Sequence, residues 1–328
     1  MPKLLIVLHH GFDLWNAPPW FADRLRNNFP QLEVVHLADY TELEDEICEA
    51  EIVLAWSLRP HQVAVAHKLR WIHSPAAAVH QLLFPELINS DVVITNARDV
   101  HGPVVAEHVM ALILALAKKI PQSVRFQQRR FWGQQRVWSE PPRPREITGA
   151  TVGLVGLGSI GREVAKRASA LGMRVIAARE HPEKGADNVA ALFSPAQLDD
   201  LLLQADFVVL AAPLTARTSN LLDSSRLAKM KADSYLINVS RGPLVDESAL
   251  AETLREKRIA GAALDVFSKE PLPQESALWD LDNLLITSHT AALTAKLWDR
   301  HYALFSQNLR RYLNHEALLG VVDKLKGY

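Results

Sequence analysis

Val152-Gly153-Leu154-Val155-Gly156-Leu157-Gly158-Ser159-Ile160-Gly161 is the stretch from which the rest of this chain can be read. An apolar run ends on three glycines spaced GxGxxG, and Arg162–Leu171 continues with helical character. The first glycine, Gly156, permits a tight turn, and the second, Gly158, lets backbone approach a pyrophosphate. The third, Gly161, allows close helix–strand packing, while the N–H groups around Ser159 and Ile160 open a helix whose positive end attracts an anion. The glycine spacing alone is weak. Set between a strand and a helix it points strongly to a dinucleotide.

Working outward, Thr151–Val155 opens a series of short apolar runs that continues at Arg174–Ala177, Phe207–Ala211, Tyr235–Val239, Ala262–Val266 and Leu284–Ile286. An earlier series comprises Leu4–Leu8, Leu32–Leu37, Ile52–Ala55 and Val92–Thr95. Helix-like segments separate most of these runs, which predicts βαβ units. The expected class is α/β, with two doubly wound parallel-sheet domains. Long apolar or amphipathic segments at 104–119 and 293–314 are natural crossovers between them, and the tail from Leu318 to Tyr328 is expected to return to the first domain. A dinucleotide-binding domain at 99–291 is therefore expected to be inserted in a discontinuous substrate domain made of 1–98 and 292–328, Rossmann-type within flavodoxin-like.

Composition agrees with this. The 328 residues suffice for two cores, and 48% hydrophobic with 22% charged residues excludes wholesale disorder. A net charge of −1, from 36 basic and 37 acidic residues, argues against a nucleic-acid partner. Cys48 is the lone cysteine, and the histidines form no HExxH or similar template, so no metal is expected. The longest apolar run, Val109–Ala117, is far shorter than the roughly 20 residues of a membrane helix, so no membrane association is expected. The N-terminus lacks the features of a signal peptide, and the expected location is the cytoplasm. One segment departs from the bulk: between Pro121 and Arg145 the chain reads as irregular, with six arginines, one acidic residue (Glu140), and Phe126, Phe131, Trp132 and Trp138. It reads as a solvated or dimer-forming arm in preference to a nucleic-acid surface.

Three polar residues fall just beyond strand ends, where open α/β sheets bind ligands. Arg241 follows Tyr235–Ser240, Glu270 follows Ala262–Phe267, and His289 follows Leu284–Ser288. A base, a carboxylate to orient it and a cation for an anionic substrate are the parts that hydride transfer to a keto acid requires. Singly, they could be a surface ion pair, a carboxylate at a helix start and a packed histidine. All three at strand ends of one sheet favour a site. About 20 residues beyond the first glycine, an acidic residue would take the ribose 2′-hydroxyl of NAD, whereas arginine would pair with the 2′-phosphate of NADP. The chain reads Ala177-Ala178-Arg179-Glu180 there, so Arg179 favours NADP, and Glu180 keeps NAD possible.

Further stretches make the chain similar to a known family over nearly its whole length. They are Ala212-Pro213-Leu214-Thr215-Ala216-Arg217-Thr218, Ile237 through Asp246, Ala263 through Pro273, and Thr287-Ser288-His289. Thr95-Asn96-Ala97-Arg98, Val105-Ala106-Glu107-His108 and Leu319-Gly320-Val321-Val322-Asp323 match as well. With the glycine motif, these resemble the D-isomer-specific 2-hydroxyacid dehydrogenases, most of all the glyoxylate/hydroxypyruvate reductase branch.

The resemblance implies a role for each matching residue. His289 would be the acid/base that protonates the keto oxygen, Glu270 would orient it, and Arg241 would bind the substrate carboxylate. Asp265 would hold the nicotinamide carboxamide, and Pro213 and Thr218 would line the cofactor cleft. Backbone N–H groups of Ala77-Ala78-Val79 occupy the family's carboxylate-binding loop. The partner would be a small anionic 2-keto or 2-hydroxy acid, and the assembly a homodimer through the cofactor domain and the 121–145 arm, with Trp132 or Trp138 capping the neighbour's site. The chain departs from the family at Ala78, where glycine is usual and positive φ would strain an alanine, at His80, and at Ala291-Ala292 after the histidine. Two other readings share the pattern. A dinucleotide-binding corepressor would keep the architecture without significant turnover, and a formate dehydrogenase would carry glutamine where Glu270 stands.

Overall fold

Apolar runs of four or five residues, bounded by turn-forming residues, become the central strands of two parallel sheets. A computed structural model describes residues 1–327, and the chain divides into two compact units. One comprises Met1–His101 and the segment from Leu293; the other is Gly102–Ala292. Tyr328, the end of the tail, lies outside the described residues.

In the first unit, β1 (Lys3–Val7), β2 (Glu33–Leu37), β3 (Ile52–Ala55), β4 (Trp71–Ser74) and β5 (Val93–Asn96) pair in parallel in the order β2-β1-β3-β4-β5. This is the flavodoxin-like order. The sequence reading has no counterpart for β4, because Trp-Ile-His-Ser is not an apolar run. All four residues are nevertheless buried, and Trp71 and His73 find a polar partner on the neighbouring strand. Thr95 Oγ1 lies 2.7 Å from His73 Nδ1 and accepts from Trp71 Nε1 at 2.8 Å. The helix Leu297–Leu313 belongs to this unit and packs Trp298, Tyr302, Phe305 and Leu309 against Phe21 and Trp71. The tail does return to this sheet: Asn96 N donates to Gly320 O, and Val322 N donates to Ile94 O.

In the second unit, β6 (Thr151–Val155), β7 (Arg174–Ala178), β8 (Ala191–Phe193), β9 (Phe207–Leu210), β10 (Tyr235–Asn238), β11 (Gly261–Leu264) and β12 (Leu284–Ile286) form a parallel sheet. Their order is β12-β11-β10-β9-β6-β7-β8, the Rossmann order extended by one strand. Sequence reading passes over the three-residue edge strand β8, which is short and only partly buried, although it closes the apolar run Val189–Phe193. Separate apolar cores cover the two faces of this sheet.

The helix Gly102–Ala117 packs against Ser159–Ala170 and buries nine residues, among them Val105, Val109, Leu112 and Ile113. Each such aliphatic side chain contributes about 1.5–3 kcal/mol on burial. The arm is more regular than its composition suggests. Ile120–Gln128 and Gln134–Ser139 are helical where irregular chain is expected, and Phe126 anchors the turn between them edge-on to Phe131 at 5.3 Å. Among the described residues, no helix is long and apolar enough to cross a membrane.

Candidate active site

The glycine turn is built as its spacing predicts. Gly156 takes a φ of 100°, and a Cβ there would stand 2.7 Å from Ala211 O and Ala212 N, so the end of β9 excludes any side chain. Gly158 has open space where a Cβ would be, and Gly161 lies against the Gly156 carbonyl. The helix Ser159–Ala170 starts directly after Gly158 with no side-chain cap, leaving first-turn N–H groups for an outside acceptor. An uncapped helix start beside an open glycine fits a dinucleotide pyrophosphate. Pro213 and Thr218 sit in the loop after β9, which is pinned by its own hydroxyls. Thr218 Oγ1 donates to Pro213 O at 2.7 Å and accepts from Thr215 N at 2.8 Å.

Arg179 directly follows β7. Its backbone N–H donates to Phe193 O at 3.0 Å, and Nη1 donates to Gly185 O at 3.2 Å. The neighbouring Glu180 is paired with Arg217, with Nη1 to Oε1 at 3.1 Å.

The acid/base candidates lie beyond β10, β11 and β12, three adjacent strands. His289 Nδ1 and Glu270 Oε2 are 2.6 Å apart, and the other Glu270 oxygen accepts from Phe267 N at 2.9 Å. One carboxylate is thus fixed by backbone on one side and fixes the imidazole on the other, leaving Nε2 as the nitrogen able to meet a substrate. Arg241 lies after β10; its backbone carbonyl accepts from Asn238 Nδ2 at 2.9 Å, and its Nη1 donates to Ser240 O at 2.6 Å. Burial pulls the Arg241 pKa below the usual arginine value, and the Glu270 carboxylate opposes that shift. Gly242 makes this convergence possible: a Cβ there would stand 1.9 Å from Phe267 C, so the loops after β10 and β11 touch backbone to backbone.

Asp265 is 1% exposed and serves the loop that carries His289. Its carboxylate accepts from Thr287 Oγ1 at 2.5 Å, Thr290 N at 2.8 Å and Ala291 N at 3.0 Å, and its carbonyl accepts from His289 N at 2.8 Å. These bonds hold His289 at a φ of 53°, the left-handed region that a non-glycine residue enters only at a cost. His108 Nε2 lies 3.2 Å from Thr287 Oγ1 and 3.7 Å from Asp265 Oδ1. Burial lowers the His108 pKa and Asp265 counteracts it, while Thr287 Oγ1, whose proton goes to Asp265, is left to accept from His108 Nε2. Sequence reasoning assigns no role to Thr287, Thr290 or His108. The only trace is that Thr287 and His108 fall within family-like stretches.

Ala77, Ala78 and Val79 belong to the other unit, in the loop after β4. Asn96 Nδ2 donates to Ala77 O at 2.7 Å, and Ala97 N donates to Ala76 O at 3.2 Å. Ala78 does not adopt a positive φ, so alanine in place of the usual glycine carries no backbone strain.

A model of the D-isomer specific 2-hydroxyacid dehydrogenase NAD binding domain matches residues 110–291, more than half of the chain. The chain belongs to the D-isomer-specific 2-hydroxyacid dehydrogenases. Within that family it is 35% identical over 324 residues to a glyoxylate reductase of Thermofilum pendens, covering 97% of this chain and 88% of that one. It is 31% identical to a D-3-phosphoglycerate dehydrogenase of Methanocaldococcus jannaschii, covering 92% of this chain but only 57% of that longer protein. A crystal structure of the NADPH-dependent glyoxylate/hydroxypyruvate reductase of Sinorhizobium meliloti, in complex with NADP and sulfate, superposes with a TM-score of 0.83. That match has 26% identity and covers 100% of both chains. The domain that holds Arg241, Asp265, Glu270 and His289 is thus the NAD-binding domain of a 2-hydroxyacid dehydrogenase.

Proposed function

We propose that this protein is a 2-keto acid reductase of the glyoxylate/hydroxypyruvate type that uses NAD(P)H. The observation that carries this reading is the 2.6 Å contact between His289 and Glu270, on strand ends adjacent to the one that presents Arg241. Bound nicotinamide supplies hydride to the keto carbon. The Arg241 guanidinium binds the substrate carboxylate and polarises the carbonyl, a task that suits a fixed, partly desolvated cation. Protonated His289 donates from Nε2 to the developing alkoxide, while Glu270 accepts from Nδ1 and stabilises the imidazolium. The backbone N–H groups of Ala77, Ala78 and Val79 are proposed to bind carboxylate. Asp265 acts first as the anchor of the histidine loop, a role its bonds to Thr287, Thr290 and Ala291 support more directly than contact with the nicotinamide.

The glycine turn of Gly156, Gly158, Ser159, Ile160 and Gly161 is proposed to hold the pyrophosphate, with Pro213 and Thr218 lining the cleft. Arg179 and the paired state of Glu180 support a preference for NADPH over NADH. The exposed aromatics of the 121–145 arm support a homodimer built through the cofactor domain and that arm. The proposed location is the cytoplasm. Steady-state kinetics with glyoxylate, hydroxypyruvate and bulkier 2-keto acids, each with NADPH and NADH, tests the reading. Turnover with a small keto acid and a lower KM for NADPH is expected. No cofactor oxidation across the panel would overturn it.

A further inference from the structure

The pairing of Arg217 with Glu180 matters beyond an ordinary surface contact. In the sheet order β9-β6-β7, the loop after β9 and the turn after β7 stand on either side of β6, whose end carries the glycine turn. The Arg217–Glu180 pair, 3.1 Å apart, bridges those two loops. Glu180 follows Arg179, the residue placed for the phosphorylated ribose. An unpaired carboxylate there would accept a ribose hydroxyl and repel a phosphate that carries about −1.5 to −2 charge at neutral pH. Arg217 removes that repulsion. It also brings a second guanidinium to the same edge, on a loop that Thr215 and Thr218 hold rigid through bonds to each other and to Pro213. The Arg179 side chain spends one of its N–H groups on Gly185 O, and its fork keeps donors for a ligand.

We propose that Arg217 is a specificity-determining residue that completes a two-arginine clamp for the 2′-phosphate of NADP(H), with Arg179 as the other half. Glu180 is the built-in alternative: masked by Arg217 it tolerates the phosphate, and unmasked it selects the free ribose of NAD(H). This rests on the NADPH preference proposed above. It makes that preference a joint property of two loops rather than of the β7 end alone.

Calorimetric titration with 2′,5′-ADP and with 5′-AMP tests the clamp on the intact protein without cofactor or turnover. Wild type is expected to bind 2′,5′-ADP about tenfold or more tightly than 5′-AMP. Arg217→Ala should weaken 2′,5′-ADP about five- to tenfold and leave 5′-AMP unchanged or tighter. Glu180→Ala should not weaken 2′,5′-ADP, and the double variant should recover part of the Arg217→Ala loss. Arg217→Lys, which keeps the charge at the same place, should retain more affinity than alanine. The clamp is overturned if Arg217→Ala binds 2′,5′-ADP within twofold of wild type, or loses affinity equally for both nucleotides. If wild type itself does not discriminate between the two, the NADPH preference falls together with the clamp.

Discussion

At the scale of single residues, the site depends on what holds His289. A histidine at a φ of 53° stores roughly 1–3 kcal/mol of local strain, and the Asp265 bonds to Thr287, Thr290, Ala291 and His289 itself offset it. His289→Gln is expected to lower kcat for keto-acid reduction about 10²- to 10⁴-fold with little change in cofactor affinity, as read by steady-state kinetics and nucleotide titration. The proton given up in reduction comes from an imidazolium. Glu270→Gln replaces the charged acceptor of His289 Nδ1, so it is expected to lower kcat while leaving nucleotide affinity unchanged. An unchanged kcat in His289→Gln, with hydride transfer shown to be rate-limiting by an isotope effect, would count against His289 as the donor. The strand-end positions of the residues proposed as catalytic were legible because each follows an apolar run. Their supports were not, since threonines and a histidine in ordinary positions give no periodic signal.

At the scale of elements, convergence is a matter of loops after neighbouring strands. Arg241, Glu270 and His289 are far apart in the chain, and the pairing of β10 with β11 and β11 with β12 makes their loops neighbours. Gly242 is the contact point between the first two. Gly242→Ala would drive a methyl group into the Phe267–Ser268 backbone, which has no flexible side chain to yield. The variant should lose most of its kcat, at least about tenfold, through displacement of Glu270, while retaining 2′,5′-ADP binding at the distant β6–β7 edge. Unchanged turnover would show that the two loops can part without consequence. Sequence periodicity located ten of the strands and missed β4 and β8. In β4 buried polar residues replace the apolar pattern, and β8 is a short, half-exposed edge.

At the scale of the whole molecule, the two units carry different liabilities. The first buries His73 and His301 at 1% and 2% exposure. Burial pushes the His73 pKa down to about 3 and that of His301 well below its usual value. Each binds a proton in the unfolded chain near pH 6.5 but resists it when folded. Stability is therefore full above about pH 6.5 and falls as pH drops towards 3, by about 1.4 kcal/mol per pH unit for each group while that group remains unprotonated in the fold. Thermal melts between pH 7 and pH 4.5 should show this loss, and His73→Gln should make the slope shallower. An equal slope in the variant would exclude His73 as a source. The second unit exposes Trp132 at 88% and Trp138 at 56%. Replacing both by alanine should shift the dimer expected in light scattering towards monomer or raise the KM for keto acid. Failure of both would remove the arm from assembly and from the site.

What the sequence determined by itself was whatever is local in the chain: the glycine turn between strand and helix, the alternation that makes two parallel α/β sheets, and the strand-end positions of Arg241, Glu270 and His289. These follow from backbone sterics, side-chain period and the burial of parallel strands, which leave marks within a few residues. Tertiary structure alone decided which distant groups share a charge or a bond. It set Arg217 on Glu180, Asp265 under the histidine loop, Thr95 between Trp71 and His73, and backbone against backbone at Gly242. Such contacts depend on strand order and on loops crossing between strands, and one-dimensional spacing does not encode that distance.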